Sequence, residues 1–567
     1  MRKLPTGISN FEELVRDNCI YVDKTMYIEK LENLSDKRIM FLRPRKFGKT
    51  LFTSTLENYY DVLKKDKFDE LFKNTYIGKN PTVNKNSYHV LRFNFSGIDT
   101  VSLDTTISEF KREVASSIKV FVEKYGLDFY INENDSAEGI LDNLFKAFYI
   151  QKARERIYVI IDEYDHFANE LLGFQTEEFK NIVSKNGKVR KWYEILKKGT
   201  ETVVERIFIT GVAPITLDST TSGFNIARDL TKNINFNDML GFCKEDVKYI
   251  MDELEIDGEK QKELMPIIKE NYDGYIFSDM IEEEIENYRM YNSNMTLYFL
   301  NSYIEQNEIP KQLIDTNIIS DYRKIEGFMN LCKTIGKIEI LEKIVKGESI
   351  EIELIEKFNS EIHFGEKELI SLLYYLGYLT IKKNEFGIPE FGYPNEIIRK
   401  IYAEYFLEYL KEISGIEEEI KSGEITRQIL LEGNIEKAVG TLKQYLTNLS
   451  NRDYVQFDEK YVKVIFYSIC RMLKTLVVKS ELEVGGNYSD ILLIPMEKIN
   501  ERYGVLIEFK YIKQEDYEKN NNLLKQKQKE AKEQLEKYKN TEEIRLIPNL
   551  RCYSVVAIKD RLEVQEV

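Results

Sequence analysis

Three stretches of this 567-residue sequence place residues of the right type at the right spacing for phosphate chemistry. The first is Arg43-Pro44-Arg45-Lys46-Phe47-Gly48-Lys49-Thr50. Its end matches the phosphate-binding loop pattern GxxxxGK[ST], with Arg43 where that pattern has its first glycine. Successive backbone N–H groups from Phe47 to Thr50, at the mouth of a helix, would hold the β-phosphate of a nucleotide. Lys49 would reach the β- and γ-phosphates and Thr50 would ligate Mg²⁺. Arg43, Arg45, Lys46, Phe47 and Gly48 complete the expected ATP-binding set. Arg43 cannot adopt positive φ cheaply and Pro44 has no N–H to give, so the loop must differ at its start.

The second stretch is Ile157-Tyr158-Val159-Ile160-Ile161-Asp162-Glu163, an apolar run ending in two carboxylates. Asp162 lies 113 residues after Lys49. Beside a phosphate loop, the first acid would hold Mg²⁺ and Glu163 would polarise the attacking water. A further run, Arg206-Ile207-Phe208-Ile209-Thr210, ends 48 positions after Asp162 in Thr210, a candidate for reading the γ-phosphate. For Arg228 the expectation is a plain surface role.

The third stretch is near the C-terminus. Asp490 precedes Ile491-Leu492-Leu493-Ile494, and Glu508, 18 residues after Asp490, lies in the run Gly504-Val505-Leu506-Ile507-Glu508-Phe509-Lys510. On a strand, Glu508 and Lys510 share one face because side chains alternate. Asp490 and Glu508, with Glu481 upstream, would supply hard oxygens for Mg²⁺. Bound there, the ion would neutralise a phosphodiester and acidify a water. Lys510 would position that water or stabilise the developing charge. Gln534 and Tyr538 lie one turn apart on a downstream helix that carries Lys525, Lys527, Lys529, Lys532, Lys537 and Lys539, a patch suited to a nucleic-acid backbone.

These residues need elements to carry them. Residues 38–42, 88–95, 157–161 and 207–210 read as strands, with helical spacing at 51–63 and 107–125 between them. Such alternation predicts an α/β domain with a parallel P-loop NTPase sheet. From about 225 to 450 the spacing is helical and charged. After 451 come a helix over 460–476, three strands, a lysine-rich helix and a strand near 553–558. The expected domains are therefore 1–225, an ATPase core; 226–330, a helical lid; 331–450, a helical connecting region; and 451–567, an α/β domain that carries the carboxylate cluster.

Composition narrows the function classes. Charged residues make up 31% of the chain and hydrophobic residues 43%, with 10 Pro and 28 Gly, which excludes collagen-like and broadly disordered chains. No apolar run approaches the roughly 18 residues of a membrane span, and the N-terminus has no apolar signal core. A soluble cytoplasmic protein is the expectation. Five scattered Cys and three His argue against a disulfide framework or a multi-histidine site, leaving carboxylates as metal ligands. Net charge is 81 − 96 = −15, yet residues 451–567 carry 21 basic and 20 acidic side chains, so polyanion contact is expected there.

Together with Tyr21-Val22-Asp23-Lys24-Thr25, Asp162-Glu163-Tyr164-Asp165, Ile209-Thr210-Gly211-Val212-Ala213-Pro214-Ile215 and Tyr272-Asp273-Gly274-Tyr275, the loop resembles the bacterial AAA-ATPase-like family. Members of that family carry a C-terminal PD-(D/E)XK nuclease-superfamily domain, which implies a restriction-endonuclease-like α/β fold for 451–567. Glu481, Asp490, Glu508-Phe509-Lys510 and Gln534-Leu535-Glu536-Lys537-Tyr538 are similar to its E…D…ExK…QxxxY order. The resemblance implies ATP and Mg²⁺ as cofactors and nucleic acid, DNA rather than RNA, as the partner. It also implies a setting in bacterial defence or mobile-element biology. Related nuclease domains read Gly-Arg-Ile-Asp where this chain has Asn487-Tyr488-Ser489-Asp490, without the basic residue. Three readings stay open from sequence: an ATPase coupled to a nuclease, an ATP-switched binding or signalling module whose nuclease fold is weak or inactive, and a self-assembling ATPase scaffold, with a homo-oligomer possible in each.

Overall fold

The apolar runs fold as expected into strands β1 (Arg38–Leu42), β2 (His89–Asn94), β3 (Ile157–Asp162) and β4 (Val204–Gly211), joined by a short β5 (Arg228–Asp229). The structure, a computed structural model, describes residues 2–567 except 133, 153, 167–186, 216–226, 311, 315–323, 331–336, 359–363, 417–418, 450–457, 474, 485–486, 497–501 and 521. It divides into two compact units, Met1–Lys337 with Ser349–Glu396, and Ile338–Glu348 with Ile397–Val567.

In the first unit the strand order is β2-β3-β4-β1-β5, and every pairing is parallel. Parallel neighbours need crossover helices on the faces, so such strands are buried on both sides. Every residue of β3 is buried accordingly. The helix Lys49–Tyr60 follows β1, Leu103–Tyr125 and Ala137–Gln151 separate β2 from β3, and Lys188–Gly199 precedes β4. Trp192, on that last helix, packs edge-on against Phe93, Phe95 and Phe110. Because β4 lies between β1 and β3, the ends of β1 and β3 stand two strand spacings apart, about 10 Å. Loops leaving those carboxyl ends enclose a crevice, the usual ligand position in an open parallel sheet.

The middle region departs from the helical expectation in one respect. Alongside helices it holds a small antiparallel sheet, order β6-β8-β7, built from β6 (Ile350–Glu351), β7 (Thr380–Glu385) and β8 (Ile388–Gly392). The hairpin turns on Phe386 and Gly387, both at positive φ, a geometry that a two-residue hairpin turn requires. Its strands are too short for a period of two to stand out against flanking helical spacing. Gly377 lies against Pro44: a side chain there would meet the proline ring at 2.7 Å.

The second unit holds a mixed sheet, order β13-β12-β11-β10-β9, comprising β9 (Leu476–Val484), β10 (Asn487–Pro495), β11 (Gly504–Ile512), β12 (Leu550–Ile558) and β13 (Arg561–Glu566). Only β11 and β12 run parallel; the other pairs are antiparallel. Leu492 and Leu506 pack with Leu535 and Tyr538 of the helix Leu523–Lys539. On the other side of β11, Phe509 meets Phe466 of the helix Glu459–Arg471 with ring centroids 5.1 Å apart. No described helix is long and apolar enough to cross a membrane.

Candidate functional site

Beyond β1 the chain turns into the helix Lys49–Tyr60 through positive φ at Lys46 (70°) and Gly48 (91°). The strained positions are thus late in the loop, which is how Arg43 is accommodated at its start. The carbonyls of the loop are held from outside. Asn292 Nδ2 donates to Arg45 O at 3.4 Å, the Asn294 N–H to Lys46 O at 3.2 Å, and the Gly241 N–H to Phe47 O at 3.1 Å. The Phe47 ring is buried edge-on against Tyr275 and Phe277, so only its backbone remains for a ligand. Lys49, 5% exposed, donates to the carbonyls of Arg43 and Pro44 at 3.1 Å each and stands 3.9 Å from Glu163 Oε1. A cavity of about 460 Å³ opens on the loop, lined among others by Arg45, Lys49, Thr50, Glu163, His166 and Asn294. That volume suits a small-molecule ligand.

Arg43 corrects the sequence reading. Its side chain is 1% exposed and turned away from the loop. The guanidinium donates to the carbonyls of Leu42, Thr231, Phe236 and Asn237 and lies between the rings of Phe41 and Phe277 at 4.1 and 4.2 Å. Burial pulls its pKa down to about 9, so it stays charged at neutral pH. A planar fork with five donors can satisfy four carbonyls at once, which explains an arginine buried here.

At the end of β3, Asp162 is 0% exposed, and its Oδ2 lies 3.4 Å from both Thr53 Oγ1 and an Arg92 nitrogen. Burial pushes its pKa up, opposed by Arg92, Lys49 and a hydrogen bond from Thr50. Its Oδ1 has no hydrogen-bond partner among the described residues. A buried, partnerless carboxylate oxygen beside Thr50 fits a divalent cation. Glu163 follows at φ 55°, a costly backbone for a residue other than glycine. Burial alone would raise its pKa, but Lys49, His166 and Arg45 together hold it down to about 2. The next two residues are structural: the Tyr164 hydroxyl donates to Ala213 O, and Asp165 accepts from the Val212 and Ala213 N–H groups. Thr210 is buried within β4, its hydroxyl without a hydrogen-bond partner among the described residues, and it does not line the cavity. Arg228 is on the surface, paired with Asp36 at 2.9 Å. Arg92 escaped the sequence reading, although a charge inside the apolar run 88–95 was a usable signal.

In the second unit the pairing of β10 with β11 ends at Ile491 and Ile507, and Asp490 and Glu508 are the next residue of each strand beyond that end. The Phe509 N–H donates to Asp490 Oδ2 at 2.6 Å, and Lys510 Nζ donates to Glu508 Oε1 at 2.8 Å. Glu508 is 2% exposed, and burial together with Asp490 raises its pKa to about 7 against the pull of Lys510. Burial also raises Asp490, against Lys463. Tyr538 faces this pair: burial, Glu508 and Asp490 push its hydroxyl up to about 12. Glu508 Oε2 and Gln534 Oε1 are buried acceptors without a donor among the described residues, again fitting a cation. Glu481 is on β9, and its side chain lies outside the described residues. No group of three or more His, Cys, Asp or Glu able to hold a metal occurs among the described residues.

Two further observations alter the expected picture. Lys463, not anticipated, lies 2.6 Å from Asp490 Oδ1 and 2.8 Å from Glu459 Oε1. The pairing of Lys463 with Glu459 one turn earlier is visible in sequence, but the contact with Asp490 is tertiary. The lysine-rich helix is a mixed-charge face rather than a purely basic one: Lys527, Lys529 and Lys539 pair with Glu530, Glu533 and Glu536.

Comparison with known proteins falls on the same two regions of the chain. The family model described as "Predicted AAA-ATPase" matches residues 5–221, and that of the PD-(D/E)XK nuclease superfamily matches residues 457–566. A protein described as "Uncharacterized protein in vnfD 5'region", from Azotobacter chroococcum mcd 1, is 26% identical over 248 residues, 43% of this chain. The match spans 44% of that relative's length. The chain therefore carries an AAA-ATPase-like domain at its N-terminus and a PD-(D/E)XK nuclease superfamily domain at its C-terminus.

Proposed function

We propose that the N-terminal domain binds and hydrolyses ATP and that the C-terminal domain cleaves phosphodiester bonds of nucleic acid, DNA rather than RNA. The reading rests chiefly on Asp490 and Glu508 lying buried at the same end of β10 and β11, Asp490 Oδ2 accepting from the Phe509 N–H at 2.6 Å and Glu508 Oε1 from Lys510 Nζ at 2.8 Å, since such a polar set inside a sheet is expensive to bury without a task.

In the N-terminal domain, the backbone from Phe47 to Thr50 receives the phosphates. Lys49 leaves the carbonyls of Arg43 and Pro44 to follow the γ-phosphate. Thr50 and Asp162 would hold Mg²⁺. Glu163, kept ionised by its basic neighbours, accepts a proton from the attacking water. Arg45 and the exposed Lys46 add positive charge at the rim. Thr210 acts on the phosphate only through its neighbours in the sheet.

In the C-terminal domain, Asp490 and Glu508 would hold a divalent cation, with Glu481 as a further donor. A bound divalent cation at either site supplies Lewis acidity and lowers the pKa of a coordinated water. Lys510 orients that water and stabilises charge on the phosphate.

The test is activity on ATP and on linear and circular DNA and RNA with Mg²⁺ or Mn²⁺. Lys49→Ala should lower ATP turnover at least 100-fold. Asp490→Ala and Glu508→Gln should each abolish new termini while ATP turnover persists. Cleavage by either variant at the parent rate refutes the nuclease reading, and unchanged turnover in Lys49→Ala refutes the ATPase reading.

A further inference from the structure

Lys463 is the residue nearest the nuclease carboxylates that the proposed reaction leaves without a role. It projects from the helix Glu459–Arg471, and its ammonium spans two carboxylates, Asp490 Oδ1 at 2.6 Å and Glu459 Oε1 at 2.8 Å. Its side chain is about one quarter exposed, so it is within reach of solvent and of a strand entering the site. The other oxygen of Asp490 is already fixed by the Phe509 N–H. Oδ1 is therefore the oxygen left for a metal, and Lys463 holds it. Glu508, just beyond the same end of the β10–β11 pairing, presents Oε2, which has no partner among the described residues.

We propose that Lys463 is a positioning residue that occupies the metal-facing oxygen of Asp490 and sets the affinity of the site for a divalent cation. An ammonium and a divalent ion compete for the same acceptor, and each neutralises the same anionic pair. Loading the site requires the ammonium to give up Asp490. Glu459, one turn away on the same helix, keeps a carboxylate for it to retain, so the displaced charge stays beside the site where a phosphate would arrive. A lysine suits this exchange better than an arginine, because a flexible stem carries a compact charge that swings without breaking a bidentate fork.

This inference rests on the metal role of Asp490 and Glu508, and the experiment separates the two. Mn²⁺ affinity of the full chain, without nucleotide, is measured by electron paramagnetic resonance titration in the parent, Asp490→Ala, Lys463→Met and Lys463→Arg. The ion counted is the one that Asp490→Ala removes. Lys463→Met, which keeps the bulk and drops the charge, should bind that ion about tenfold more tightly. Lys463→Arg should fall between the two, since it keeps the charge. Unchanged or weaker binding in Lys463→Met overturns the proposal while leaving the metal site standing. A parent that binds no ion dependent on Asp490 overturns the metal site and the proposal together. A matching urea midpoint for Lys463→Met and the parent shows that the affinity change is local.

Discussion

Arg43 offers the sharpest test, because the sequence pattern places it on the nucleotide and the structure places it behind the loop. Consider Arg43→Met, which keeps most of the bulk and removes the donors. Four carbonyls, on Leu42, Thr231, Phe236 and Asn237, lose a charged donor, each such bond being worth about 1.5–3 kcal/mol. Against this stands relief from keeping a charge buried, about 5 kcal/mol for a guanidinium whose pKa burial pulls down to about 9. The difference is a loss of about 1–7 kcal/mol, which brackets the roughly 3–5 kcal/mol found when one partner of a buried ionic network is removed. Arg43→Lys should lose less, since an ammonium has three donors and no plane to lie between Phe41 and Phe277. The assay is built into the chain. Trp192 is the only tryptophan and is fully buried in the N-terminal unit, so its fluorescence during urea unfolding reports that unit. At temperatures where the variants are folded, their affinity for a fluorescent ATP analogue should stay within about threefold of the parent. An unchanged urea midpoint with affinity weakened tenfold or more would mean that Arg43 touches the phosphate, and the reasoning would fail.

Glu163→Gln should bind the ATP analogue as well as the parent yet hydrolyse ATP at least 100-fold more slowly, measured by phosphate release, because the amide cannot take the proton of the water. Gly211→Ala should destabilise the N-terminal unit by more than about 3 kcal/mol in the same Trp192 assay, since its new methyl would stand 2.0 Å from Asp165 Oδ1. Burial lowers the pKa of His89, so the unfolded chain holds more protons than the folded one as pH drops below 6.5. Stability is therefore lost on acidification through that range, and His89→Gln should show a smaller drop in melting temperature between pH 7.5 and 5.5 than the parent.

Much of this protein is written locally. The run Arg38–Leu42 followed by Gly48-Lys49-Thr50 marks a strand, a loop and a helix start, because burial on both faces of a parallel strand forces a continuous apolar run. Asp162 and Glu163 are legible for the same reason: charge at the end of such a run is conspicuous. Glu508 and Lys510 stand out inside an apolar strand, and the alternation of side chains puts them on one face by local geometry alone. What the chain order hides is which strand lies beside which. The insertion of β4 between β1 and β3 sets the width of the crevice, and no local pattern encodes it. Arg43 turns inward because four carbonyls from residues as distant as Asn237 converge behind the loop. Lys463 reaches Asp490 across 27 positions for a similar reason. Periodicity follows from the backbone of each element, whereas the pairing of buried charges follows from packing, where each ion must find its counter-charge wherever the fold supplies one.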